Sequence, residues 1–103
     1  MSAANPVRGE AGLRVGGIEC VLRPSFAALV AAESELGPLF ALVERAAEGR
    51  LALAEMVALF WHCLRELPEG MTREGFGEGV VAGGLVAATP ALKMLVGQIL
   101  AGR

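Results

Sequence analysis

The sequence predicts a mainly α-helical domain, in which an N-terminal two-stranded β-hairpin packs on a compact bundle of four to five short helices. Two observations predict it: a Gly-Gly pair separates two short alternating apolar segments, and apolar residues then recur at helical spacing between glycine and proline breaks. A chain of 103 residues is long enough for one core and too short for two. We therefore expect a flexible N-terminal tail over residues 1–10 and a single domain over residues 11–103.

The hairpin is centred on Gly16-Gly17, because glycine readily takes the positive φ values that a two-residue turn requires. The turn fixes a register with three central pairs: Val15 with Ile18, Arg14 with Glu19, and Leu13 with Cys20. Side chains alternate between the two faces of a strand. The apolar face, which we expect to lie on the helices, consists of Leu13, Val15, Ile18, Cys20 and Leu22.

The first two predicted helices are separated by Gly37-Pro38, a pair that ends one helix and can start the next. Helix one runs from an N-cap at Ser25, or a first-turn residue at Pro24, to about Leu36. Its expected apolar stripe is Phe26, Leu29, Val30 and Leu36. Helix two runs from about Pro38 to Glu48.

Three further helices are predicted in the second half of the chain. Helix three runs from about Leu53 to Leu67, and helix four, capped by Thr72, runs from about Arg73 to Ala82. Helix four contains three glycines, each of which costs about 1 kcal/mol relative to alanine, so it depends on tertiary packing. Helix five is expected to start at Thr89 or Pro90, after the break at Gly83-Gly84.

Composition and charge argue against several classes of function. The net charge is −2, there is one lysine, and only 5% of residues are aromatic, so no basic or stacking surface for nucleic acid is expected. The Ala, Gly, Arg and Val bias suggests a bacterial source, and we expect a cytoplasmic protein. Cys20 and Cys63 are expected to be reduced thiols, with a single bridge between them as the alternative.

A transmembrane helix between Gly79 and Gly102 is an alternative, since Lys93 is the only charge in this segment. Five glycines, Pro90 and a lysine inside the segment weaken it, because a lysine at the centre of a bilayer costs about 2.5–3.5 kcal/mol. We therefore favour two short buried helices and no membrane partner.

No group of residues predicts catalysis, a metal site or a cofactor. His62 and Cys63 are adjacent on a helix and point about 100° apart, so they do not form a nucleophile and base by themselves. The glycine run from Gly75 to Gly79 lacks the strand and the lysine of a phosphate-binding loop. Glu33 is expected at the edge of the core, bonded to backbone donors, Arg45 or Arg23, with a catalytic acid as the alternative.

Several blocks of the sequence resemble a small protein family from the tail gene clusters of phages and gene transfer agents. The first block is Leu22-Arg-Pro-Ser-Phe-Ala-Ala-Leu-Val-Ala-Ala-Glu33, followed by Leu36-Gly37. The second helix with its Gly49 stop, the apolar third helix ending in Leu64-Arg65, and Gly84-Leu85 continue the resemblance over residues 13–101. The chain departs from the family at Leu51-Ala-Leu-Ala54, where members often carry Ser or Thr, and in its glycine-rich fourth helix.

The resemblance implies a tail-morphogenesis protein without catalytic residues, similar to tail-assembly chaperones and to proteins labelled tail tube proteins. Such a protein covers the long, helical and apolar tape-measure protein, or the tail tube protein, until assembly. The alternatives are a permanent part of the tail, such as a tube or baseplate subunit, and an unrelated small ligand-binding or regulatory module. Self-association also stays open.

The partner-binding surface is predicted on the last two helices, where apolar side chains recur at the spacing of a helix that binds in a groove. The alternative is that these side chains complete the core. The predicted contact residues are Phe76, Val80, Val81, Leu92, Leu95, Val96 and Ile99.

Overall fold

The computed structural model of the protein describes residues 4–5 and 9–101. Two strands precede five helices, as the sequence predicts: β1 (Ala11–Val15), β2 (Ile18–Leu22), α1 (Phe26–Leu36), α2 (Leu39–Ala47), α3 (Leu53–Cys63), α4 (Arg73–Ala82) and α5 (Leu85–Ala101). The expected tail over residues 1–10 falls mostly on residues 1–3 and 6–8, which lie outside the described residues. Gly9 and Glu10, in contrast, are buried.

The hairpin has the predicted turn and register. Gly16 and Gly17 have φ values of 56° and 79°, and Val15 pairs with Ile18 across the turn. Arg14 and Glu19 pair on the exposed face, where their charged groups are 3.7 Å apart. The inner face is buried except at its tip, where Ile18 is 44% exposed; its buried members are Leu13, Val15, Cys20 and Leu22.

The start of α1 is confirmed, but its buried face is not the predicted one. Ser25 caps the helix by accepting a hydrogen bond from the Ala28 backbone N–H at 3.2 Å. Phe26 and Val30 were expected inside, yet they are 85% and 45% exposed. Nearly every position of this helix is apolar, so spacing alone does not choose a face. α1 packs on α3, and the fully buried Ala32 lets the two backbones come close.

The predicted end of α3 at Leu67 is wrong, because the helix stops at Cys63. Leu64 instead forms an antiparallel β-bridge with Leu22. The Arg65 N–H donates to Val21 O at 2.8 Å, and the Arg23 N–H donates to Cys63 O at 2.6 Å. Pairing with a strand more than 40 residues earlier in the sequence thus replaces the last helical turn.

The predicted start of α5 at Thr89 or Pro90 is also wrong, because the helix begins at Leu85, directly after Gly84 with a φ of 87°. Pro90 therefore lies inside the helix and cannot donate to the carbonyl of Val86. Val86 is 87% exposed, so water can satisfy that carbonyl. The Thr89 hydroxyl donates to Leu85 O at 2.9 Å.

The break between α4 and α5 also bears on the membrane alternative. In the part of the chain that the structure describes, no single helix has both the length and the apolar character needed to cross a bilayer. Two consecutive helices meet those requirements when they are taken together, and this holds for α1 with α2 and for α4 with α5. The chain bends by 82° between α1 and α2 and by 115° between α4 and α5.

The core lies between the inner face of the hairpin and helices α3, α4 and α5. β1 contacts both α4 and α5, while α3 packs between α1 and α4. Leu22, Phe60, Phe76 and Leu95 have no exposed surface and come from four different elements. The Trp61 and Phe76 rings join α3 to α4, with centroids 5.8 Å apart and planes tilted by 56°.

Gly79 allows α4 to lie directly against the hairpin. A Cβ atom at this position would stand 2.4 Å from Val15 Cγ1, far inside van der Waals contact. The neighbouring backbone is the turn of the protein's own hairpin, since Gly16 N would lie 3.6 Å from the same Cβ atom. This contact explains why position 79 is glycine, although glycine is unfavourable inside a helix.

We expect the substitution Gly79→Ala to lower the free energy of unfolding by about 1–3 kcal/mol, because overpacking at Val15 outweighs the gain in helix propensity. Gly97→Ala is the matched control, since nothing lies within 4 Å of a Cβ atom there in α5. It should raise the stability by about 0.5–1 kcal/mol. Urea unfolding measures both values, and equal effects of the two substitutions would contradict this account of α4.

The N-terminus of α3 offers a second test, because it has only half of a capping box. The Glu55 carboxylate accepts a hydrogen bond from the Ala52 N–H at 3.0 Å, but alanine offers no oxygen in return. Ala52 already has extended N-cap geometry, with φ −70° and ψ 150°. We expect Ala52→Ser to raise the free energy of unfolding by about 1 kcal/mol. Ala54→Ser, inside the first turn, should give no such gain in the same thermal and urea measurements.

Candidate partner-binding surface

His62 serves as a link between helices. Its Nε2 atom lies 2.8 Å from Glu35 Oε1 at the end of α1, and Arg73, the first residue of α4, donates to Glu35 Oε2. The hydrogen bonds from Arg73 and then from His62 lower the pKa of the Glu35 carboxyl to about 2. One carboxylate therefore connects the ends of α1, α3 and α4.

The two cysteines are buried free thiols. Cys63 is 1% exposed, and burial raises the pKa of its thiol to about 12. Burial, and to a lesser degree the charge of Glu19, also raises the pKa of Cys20. Because the thiolate is the reactive form, both side chains behave as apolar core residues near neutral pH.

Glu33 makes one of the contacts predicted for it, a hydrogen bond from a backbone donor. Its Oε2 atom accepts the Leu39 N–H at 3.0 Å. This N–H belongs to the first turn of α2, whose N-cap residue Pro38 has no side-chain acceptor. Glu33 thus caps α2 from α1, and it does not converge with His62 and Cys63 on a common cleft.

The glycine run of the sequence lies inside α4 and does not form a loop. Among the described residues no three His, Cys, Asp or Glu side chains are grouped so that they could hold a metal ion.

A buried carboxylate that the sequence reading missed lies beside the hairpin. Both oxygens of Glu10 accept from Arg65 at 3.1 Å, and Arg23 Nε lies 3.3 Å from Oε2. The Asn5 N–H donates to Oε1 at 2.9 Å. The Glu10 side chain has no exposed surface. Its partners are spread over some 60 residues of sequence, so no local sequence pattern predicts that this carboxylate is buried. The one local signal is its position directly before the apolar Ala11.

The predicted partner-binding residues separate into buried and accessible ones. Phe76, Val80 and Leu95 are at most 3% exposed and complete the core, as the alternative interpretation holds. Val81 is 50% exposed. The half-buried members are Leu92, Val96 and Ile99. Partner contact through these four accessible residues stays a prediction.

The most exposed apolar side chains lie elsewhere and were missed as surface residues. Phe26 on α1 and Phe40 on α2 are each 85% exposed, and Val86 on α5 is 87% exposed. For Phe26 a signal existed: it occupies the first helical position after the Ser25 cap, where a side chain need not face the core.

Two apolar grooves adjoin accessible residues. The α3–α4 groove, with a volume of about 530 Å³, is lined by Leu53, Ala54, Val57, Arg73, Glu74, Gly77, Glu78, Val81 and Ala82. The smaller α1–α2–α5 groove, of about 140 Å³, is lined by Leu29, Leu39, Phe40, Val43 and Ile99. Each groove thus contains one predicted partner-binding residue, Val81 or Ile99.

The Glu10 cluster yields a stability test. We expect Glu10→Gln to lower the free energy of unfolding by about 3 kcal/mol, since it removes the buried negative charge that Arg23 and Arg65 share and leaves Arg65 only its pair with the exposed Glu66. Glu66→Gln is the control: Glu66 is 78% exposed and lies 3.7 Å from Arg65. This control should change stability by less than about 0.5 kcal/mol. Similar losses in both variants would contradict the role of Glu10.

The same carboxylate should make stability depend on acid pH. Burial raises the pKa of Glu10, but hydrogen bonds from Asn5 and Arg65 and the charges of Arg65 and Arg23 outweigh it, so the net pKa is lowered from 4.5. A lowered folded-state pKa stabilises the fold above the unfolded-state pKa, and this part is lost as pH falls through the folded-state value. The stability difference between wild type and Glu10→Gln should therefore shrink below pH 4.5 in urea titrations. Parallel pH profiles would refute this.

Residues 8–102 of the chain match a known protein family. The model of the family described as "Phage tail tube protein, GTA-gp10" matches residues 8–102, a range that contains both strands and all five helices. No protein with a curated description and no solved structure matches the chain. The match agrees with the resemblance to tail proteins of phages and gene transfer agents. This chain belongs to the GTA-gp10 family of phage tail tube proteins.

Proposed function

We propose that this protein is a non-enzymatic tail-assembly chaperone that binds the tape-measure or tail tube protein while a tail is built. The observation that supports this role most directly is the exposure of Phe26 and Phe40, each 85% accessible, on neighbouring helices. Burying a phenylalanine side chain contributes about 1.5–3 kcal/mol, so each ring is a candidate anchor for a protein partner.

The size of this contribution favours reversible binding. Two phenylalanine side chains together supply roughly 3–6 kcal/mol on burial. Association itself costs about 4–15 kcal/mol in lost freedom of motion. A stable contact therefore needs additional apolar surface, such as the two grooves, and it can be released when the partner gains better contacts in the growing tail. We place this action in the bacterial cytoplasm.

A permanent structural role in the tail is the second candidate, and the description of the family as tail tube proteins favours it. The two roles differ in whether the protein is still present in the finished tail. A structural subunit is present in purified particles in a fixed ratio to the tube protein, whereas a chaperone is absent from them. Mass spectrometry of purified particles therefore separates the two candidates.

Co-expression of the tagged protein with the tape-measure and tail tube proteins of its own tail system tests the proposal. We expect the wild type to retain one of these two proteins on the affinity resin. Phe26→Ser and Phe40→Ser should each reduce its recovery about tenfold, which corresponds to 1.4 kcal/mol of binding energy. Because both side chains are exposed, their removal should change folding stability by less than about 0.5 kcal/mol.

Leu67→Ser is the matched control, since it removes a 57% exposed apolar side chain from the loop after α3. It should leave recovery of the partner unchanged. If neither tail protein is retained by the wild type, the proposed function fails. If all three serine variants lose the partner equally, the phenylalanines are not its anchors.

A further inference from the structure

The α3–α4 groove is open because of its residue types. Leu53 and Val81, on opposite walls, are 43% and 50% exposed, and Ala54 and Ala82 add small side chains. At Gly77 no side chain projects, and a Cβ atom there would already lie 3.3 Å from Val57 Cγ1. The lining residues of α4 run from Arg73 to Ala82, so this wall of the groove is about 15 Å long, and the α3 wall runs from Leu53 to Val57. These dimensions suit about three turns of another helix.

Carboxylates border the groove on the α4 side. Glu74 and Glu78 are four residues apart, so they lie on the same face of the helix. Both are exposed, and within residues 9–101 neither has an ion pair. Arg73 also lines the groove, but Glu35 holds its guanidinium group. The border of this apolar groove is therefore acidic.

Between residues 9 and 101 the protein has little unpaired positive charge with which to match this border. In the described part of the chain every arginine has a carboxylate partner, and Lys93 is the one cation without an ion pair: the pairs are Arg14–Glu19, Arg23–Glu10, Arg45–Glu55, Arg50–Glu48, Arg65–Glu10 and Arg73–Glu35. A second copy of the chain is thus a poor electrostatic match. A different protein with lysines or arginines is a better one.

From this combination we propose that the α3–α4 groove binds an amphipathic helix of the tail partner, whose apolar face is flanked by basic residues. Leucine-type side chains of that helix lie between Leu53 and Val81, and its basic residues lie beside Glu74 and Glu78. This mode is helix-in-groove recognition, with apolar anchors supplying affinity and charges supplying orientation. The inference rests on the proposed function, because it assigns one helix of that function's partner to this groove, in addition to the contacts proposed for Phe26 and Phe40.

A designed peptide provides the direct test. The probe is a synthetic helix of about 14 residues, long enough for the groove at 1.5 Å per residue, with leucines on one face and lysines on both flanks. A second peptide carries glutamates in place of the lysines. We expect the lysine peptide to bind about tenfold more tightly at low salt, with the difference reduced at high salt. Fluorescence anisotropy measures both affinities.

Two matched pairs of variants locate the binding site. Val81→Asp should weaken binding of the lysine peptide at least about tenfold, whereas Val86→Asp, in the exposed first turn of α5, should not. Glu78→Lys should reverse the preference between the two peptides, whereas Glu44→Lys on the exposed surface of α2 should leave it unchanged. Circular dichroism checks that each variant is folded, and the charge variants test the groove even if Val81→Asp unfolds the protein.

Equal binding of both peptides, or equal loss in Val81→Asp and Val86→Asp, would overturn the inference. The same four variants in the co-expression experiment separate it from the proposed function. If the wild type retains the tape-measure or tail tube protein and Val81→Asp and Glu78→Lys retain it equally well, the groove is not the site although the function stands. If the wild type retains neither protein, the proposed function itself fails, whatever the peptides do.

Discussion

The hairpin and the helices are joined where β2 and α3 end, and the buried carboxylate of Glu10 lies at this junction. Leu22 pairs with Leu64, and the arginines that follow each of them, Arg23 and Arg65, both contact Glu10. The carboxylate thereby holds together three segments that are distant in sequence. The position of the hairpin in turn determines where α4 and α5 lie, because β1 packs on both of these helices.

Features that depend on neighbouring residues could be predicted from the sequence. The hairpin register follows from Gly16-Gly17, and the starts of α1 and α4 follow from Ser25 and Thr72. Features that depend on distant residues could not. The end of α3 is set by pairing with β2, which competes with the last helical turn for the same backbone groups. The start of α5 was missed for a different reason: it follows directly from the adjacent Gly84, and Pro90, expected at the start of the helix, is tolerated inside it because this part of the helix is exposed.

Only some of the predicted partner-binding residues are accessible, because burial also depends on residues that are distant in sequence. Helical spacing identifies an apolar face, but it does not say whether the protein's own core or another protein covers that face. Phe76 and Leu95 proved to be core residues, whereas Val81 lies in an accessible groove. In α1, where eight of eleven positions are apolar, the small Ala32 is the fully buried residue and the large Phe26 side chain is left outside. Membership of a tail-protein family is consistent with such spare apolar surface, since tail proteins assemble with one another.

The two buried thiols can be used to measure how often the folded protein opens. Cys20 lies in the hairpin and Cys63 at the end of α3, and both belong to the buried core of the domain. An alkylating reagent in solution reaches them only in molecules where this core has opened. The rate of alkylation therefore measures how often the core opens, without any introduced label, and a bound tail partner that stabilises the domain should lower this rate.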